Sequence, residues 1–129
     1  MSGELPDVER FLRGEVAAAG LPHREHVRMA FELLRRHDFL DSAQRYADAL
    51  RIIAARAGHP QAFSLTITLA FLALIAERLA AGSDADFAGF AARNPDLLDK
   101  SVLSHWYRPE RLTCALGRKT FLLPEPRGQ

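Results

Sequence analysis

Three of the five histidines of this 129-residue chain lie between Leu21 and Phe39, in the stretch LPHREHVRMAFELLRRHDF. His23 and His26 are three residues apart, so on a helix their imidazoles stand on neighbouring tracks of one face. The pair falls in what reads as a first helical turn, where the positive end of the helix dipole disfavours imidazolium. Burial pushes the same way. Neutral imidazole is the form that ligates a metal or accepts a proton. The chemistry on offer is a ligand pair for a divalent metal, a general base, or the polar corner of a small-molecule pocket.

As a metal site the pair is incomplete. Zinc takes about four ligands, or three where one position stays open. Glu25 projects to the opposite side of the same helix, and His37 lies roughly 16–21 Å further along its axis. His59, His105 and Cys114 can complete a set only through tertiary contact. In the plain alternative both histidines sit at the edge of the core, bonded to backbone carbonyls or to Ser64, Thr68 or Tyr107. Hydroxyls in buried helices commonly bond back to the carbonyl four residues earlier, and Ser64 and Thr68 invite that reading too. The expected ligand-binding set is His23, His26, Ser64, Thr68 and Tyr107, with His23 and His26 doubling as metal ligands if a metal is held. No serine stands in a strand-turn-helix elbow, so acyl transfer has no support. Trp106 and Tyr107 beside Arg108 and Arg111 read either as packing of the last helices or as a wall for an anionic or aromatic ligand.

These side chains are positioned by a run of helices. Pro6 to about Ala18 predicts a first helix, anchored by Phe11 and Leu12 with Val8 and Val16 and ended by Gly20. Pro22 suits the first turn of a second, amphipathic helix over His23–Asp38. Val27, Ala30, Phe31, Leu33 and Leu34 gather on its inner side. Arg24, Glu25, Arg28, Glu32, Arg35 and Arg36 gather on its outer side. Asp41 or Ser42 is the expected cap of a third helix from Ala43 to about Ala57, closed by Gly58. FSLTITL alternates like a strand, but AFLALIAERLA follows without a turn residue, so one long buried helix is expected over Gln61–Ala81.

Beyond it, Ser83 with Asp86 predicts a cap for a short helix that carries Phe87, Phe90 and Ala91 inward. Asn94 and Pro95 restart a helix anchored by Leu97, Leu98, Val102 and Leu103. A last helix runs from Pro109 to Gly117. Pro124 and Pro126 make TFLLPEP extended, a strap laid back on the bundle through Phe121 and Leu122. The expected architecture is all-α: a single-domain bundle of six or seven helices around a buried central helix. The domain spans 1–129, with loose ends at 1–5 and 126–129.

Composition narrows the function classes. Apolar residues are 48% and charged residues 26%, as in an ordinary globular domain able to bury a core. A net charge of +1 gives no bulk attraction to nucleic acid. Five basic and two acidic residues from Arg108 onward make only a mildly basic tail. The longest uncharged stretch, from His59 to Ala76, carries His59, Gln61, Ser64, Thr66 and Thr68, which argues for a core helix rather than a membrane span. The single cysteine, Cys114, excludes an internal disulfide and reads as a small buried thiol. With no signal peptide visible, a cytoplasmic setting is expected.

Several patches together resemble an uncharacterised bacterial family of small helical proteins. LPHREHVRMAFELLRR is similar to that family's aromatic, His-x-x-His and Val/Leu-x-x-Ala helix. FSLTIT is similar to its Tyr-His-Glu-Thr-Ile-Thr. WYRPERLTCALGRKTFLLPEP is similar to its ending, Tyr-Ser-x-x-x-Leu, then Ala-Arg, then Phe-Val-x-Pro-Asp. The likeness runs from Leu21 to Pro124. Ser64 and Leu65 stand where the pattern has His and Glu, and Arg108 where it has Ser. The resemblance implies a divalent-metal site built from two facing helices, of which this chain keeps half. It confers no established activity.

Three readings follow. The favoured one is a small-molecule-binding helical protein, a degenerate enzyme among its forms, with a pocket beside His23 and His26. A second is an interaction or structural subunit without catalysis, its apolar patch drawn from Phe87, Phe90, Leu97 and Trp106. A third is a metal-dependent enzyme. No motif names a cofactor, and a divalent metal is the one candidate. A small molecule and a second copy of the chain are the expected partners; nucleic acid and membrane are not.

Overall fold

A computed structural model describes residues 7–126. Among them the chain is all-helical with no strand: α1 (Val8–Leu12), α2 (His23–Arg36), α3 (Phe39–Arg56), α4 (Leu65–Ala80), α5 (Phe87–Arg93), α6 (Pro109–Thr113) and α7 (Ala115–Lys119). Short 3-10 helices cover Ala18–Gly20, Pro60–Ala62, Pro95–Leu98 and Lys100–His105. The expected loose ends fall, apart from Pro126, outside the described residues.

The centre is α4, as expected. It packs against α2, α3 and α7. Thr66, Thr68, Ala70, Phe71, Leu72, Leu74 and Ile75 are buried on it, more than one stripe can hold. None of the described helices is long and apolar enough to cross a membrane.

Several element ends differ from the sequence reading, each for a local reason. The first helix stops at Leu12, not Ala18. Gly14 then turns with φ 70°, pressed against Ile52, and its carbonyl accepts from Arg56 Nη1 at 2.7 Å. Pro22 lies just before α2, at its cap position, and α2 ends at Arg36. Glu25 was expected outside but is 4% exposed. The wheel assumed one buried stripe, whereas α2 has α1, α3, α4 and α5 around it. The Glu25 carboxylate is held by Arg28 Nε at 2.6 Å.

α3 begins at Phe39, four residues earlier than expected, because Asp38 caps it through the Asp41 N–H at 2.8 Å. Ser42 is buried instead and donates to the Leu33 and His37 carbonyls, stitching α2 to α3. Gly58 does close α3, at φ 82°. The long helix starts late: a 3-10 turn at Pro60–Ala62 precedes it, and Ser64 caps α4 through Ile67 N at 3.2 Å. Asp86, not Ser83, caps α5. Its Phe87 and Phe90 rings stand 5.4 and 5.0 Å from Phe31, which docks α5 on α2.

The segment after Asn94 makes two 3-10 turns rather than an α-helix. Asn94 caps nothing with its side chain; it bridges the Phe90 carbonyl and Arg78. The last helix splits at Cys114, whose exposed sulfur accepts from Gly117 N, so the buried-thiol reading does not hold.

The strap is present. Thr66 Oγ1 donates to the Thr120 carbonyl at 2.8 Å and accepts from Leu122 N at 3.1 Å. Tyr107 Oη donates to the Leu122 carbonyl at 2.8 Å, and Arg108 holds Glu125 with two bonds of 2.7 and 2.9 Å. Phe121 is 39% exposed, so polar bonds rather than that ring hold the strap.

Candidate functional site

A hollow lies between the N-terminal end of α2, α3 from Tyr46 onward and the first three turns of α4. It has a volume of about 530 Å³, within the roughly 300–1,000 Å³ of small-molecule sites. Tyr46 to Ala57 on α3 and Ser64 to Ile75 on α4 run along its length, about 17 Å at 1.5 Å per residue. Its walls are mainly aliphatic and aromatic: Leu50, Ile53, Ile67, Phe71 and Ile75 face it. The alanines of α3, Ala54 and Ala57, leave the room.

His23 and His26 both line this hollow, with Ser64 and Thr68. The two-helix juxtaposition expected from sequence is therefore observed. His23 is half-buried; its Nε2 lies 2.9 Å from the Leu97 carbonyl and its ring stands edge-on to Phe71, centroids 5.0 Å apart. A carbonyl only accepts, so Nε2 carries the proton and Nδ1 keeps its lone pair. Burial lowers the pKa of His23, as does the Lys100 ammonium; the Leu97 carbonyl and Asp99 work against that. His26 is pushed further, from 6.5 to about 4, first by burial and then by its neighbour His23, against a hydrogen bond to the Leu21 carbonyl. At neutral pH both rings are uncharged, and each keeps one nitrogen able to accept.

The hydroxyls contribute less than expected. Ser64 Oγ donates to the Leu112 carbonyl at 2.8 Å, and Thr68 Oγ1 donates to the Ser64 carbonyl at 2.8 Å. Their protons are spent on the fold, and only lone pairs remain for a guest. Tyr107 does not belong to the set: it lies outside the hollow, holding the strap. Tyr46 lines it, but its hydroxyl donates to the His26 carbonyl at 3.1 Å and fixes the backbone beneath that imidazole.

Sequence reasoning missed Lys100. It reaches the hollow from the turn after Asp99, more than seventy residues from the histidines, and no periodicity marks it. His59 also lines the rim. His37 instead sits 3.2 Å from Asp41, and His105 stacks edge-on with Trp106 at 5.9 Å. Among the described residues no three His, Cys, Asp or Glu side chains gather where they could hold a metal ion. Glu25 is buried but paired with Arg28 and does not line the hollow. The half-site implied by the resemblance is not completed by other ligands, and the donor set does not fit a divalent metal.

The interaction patch expected at Phe87, Phe90, Leu97 and Trp106 is also not formed, because the first three are buried. Compared with protein-family models, curated proteins and solved structures, the chain matches none.

Proposed function

We propose that this protein binds a small, largely apolar molecule in the hollow between α2, α3 and α4, with His23 and His26 as its polar corner. One observation carries the reading: a ligand-sized space with aliphatic walls into which two neutral imidazoles are built side by side. A concave, mainly apolar cleft of this size with a few convergent polar groups has the usual form of a small-molecule site. The resemblance to a family with a His-x-x-His helix supports the same place for a site. A cytoplasmic setting fits the lone cysteine.

The imidazoles hold and orient; no activated nucleophile stands beside them. Ser64 is committed to the Leu112 carbonyl, so it does not attack. The reading is therefore a binding protein, with catalysis unsupported.

The test uses N-phenyl-1-naphthylamine, a neutral dye that brightens in apolar surroundings. The expected result is saturable one-to-one binding that is lost in Ala54→Phe, a substitution whose ring enters the hollow. An unchanged titration curve in a folded Ala54→Phe protein, or no saturable binding to the natural sequence, overturns the reading.

A further inference from the structure

Five titratable side chains line the hollow: His23 and His26 from α2, Tyr46 from α3, His59 from the α3–α4 connection, and Lys100. α4 supplies none. The chain has 16 acidic residues, yet none of the described residues lining the hollow is acidic. Lys100 has no ion-pair partner among the described residues, and its charge acts on both imidazoles. The nearest carboxylate in sequence, Asp99, is turned to Ser101, accepting from its N–H at 2.9 Å and its hydroxyl at 2.8 Å. The site is thus a greasy groove with one unneutralised cation and two proton acceptors at the same side.

We infer that the guest is an amphiphilic monocarboxylic acid, its carboxylate lying between Lys100 and the paired imidazoles and its apolar body along Ile53, Ile67 and Phe71. This rests on the binding role proposed above and narrows it. A cationic head meets the Lys100 ammonium and no carboxylate in the lining; Asp99 acts on His23 from outside it and is engaged with Ser101. A neutral alcohol satisfies one imidazole and leaves the ammonium unpaired. A carboxylate pairs with Lys100 by a charge-assisted bond. It also favours protonation of the rings that burial keeps neutral, because an adjacent negative charge raises an imidazole's pKa. Binding therefore takes up protons from solution in mildly acidic buffer. Tyr46 stays a bystander, its proton engaged by the His26 carbonyl. His59 lies exposed at the rim.

Matched ten-carbon probes separate the outcomes: decanoate, decan-1-ol and decylamine, titrated calorimetrically at pH 6 in two buffers of different ionisation enthalpy. The expected order is decanoate tighter than decan-1-ol by roughly tenfold or more, about 1.4 kcal/mol, with decylamine weakest. Decanoate alone takes up protons. Lys100 is exposed, so Lys100→Ala folds normally and abolishes the preference for the acid while keeping decan-1-ol binding. Equal affinities for acid and alcohol, a preference for the amine, or no proton uptake with decanoate overturns the inference while leaving the binding role intact. Failure of all three probes together with the neutral naphthylamine dye overturns both.

Discussion

The two sides of α4 are built from the same materials and do opposite things. Toward α6, α7 and the strap, Ser64 and Thr66 spend their hydroxyl protons on the carbonyls of Leu112 and Thr120, and Thr66 also accepts from Leu122 N. That side is sealed. Toward α2 and α3, Ile67, Thr68 and Phe71 look across a hollow of about 530 Å³ at two neutral imidazoles. Polar residues on a central helix are thus not by themselves a sign of a site. What marks the open side is polarity together with missing volume.

Breaking the sealed core carries the largest expected cost. Phe31 is fully buried against Phe87 and Phe90, and Phe31→Ala should lose about 3–5 kcal/mol in urea unfolding. A smaller loss with a normal fold would mean that the α2–α5 contact is looser than the rings imply.

The open side should announce itself through pH. His26 has its pKa lowered from 6.5 to about 4 in the folded chain. Below pH 6.5 the unfolded histidine takes a proton that the folded one refuses, so stability is full above that pH and is lost as pH falls toward 4. The gap is worth about 3 kcal/mol over that window. His26→Gln should flatten this part of the stability–pH curve; an identical curve in the variant would show that the ring is not held neutral.

On the strap side, Thr66→Val keeps shape but removes a donor and an acceptor from a side chain with no exposure. It should cost about 2 kcal/mol and leave dye and decanoate affinities unchanged. A parallel loss of affinity would show that the two sides of α4 are coupled.

The mildest effects sharpen the contrast most. Ala30 is fully buried in the closed core, and Ala54 borders the hollow. Ala30→Leu should destabilise by about 1–3 kcal/mol through overpacking, whereas Ala54→Leu should stay within about 0.5 kcal/mol of the parent while weakening binding. Equal costs at the two alanines would deny that the α3 side has room.

The contrast also explains what was legible beforehand. The all-helical class, the buried central helix, the strap and the inward turn of His23 and His26 follow from periodicity and proline placement, which act locally. Helix ends were misplaced where one side chain outcompeted another for the same amides, as Asp38 did Asp41 and Ser42, and Asp86 did Ser83. Glu25 was misread because a wheel knows one buried stripe, and α2 has neighbours on several sides. Tyr107 and Lys100 were exchanged, in effect: the aromatic that looked like a wall of the site ties down the strap, and an unremarkable lysine closes the rim. Both outcomes are set by how distant segments meet, which no window of sequence contains.

The most direct test of the central claim is the ring-nitrogen NMR spectrum of the histidines during a decanoate titration. The account predicts that the His23 and His26 ring signals move together and saturate, while those of His37, paired with Asp41, and of His105, beside Trp106, stay in place. Stationary His23 and His26 resonances at saturating decanoate and dye would contradict it.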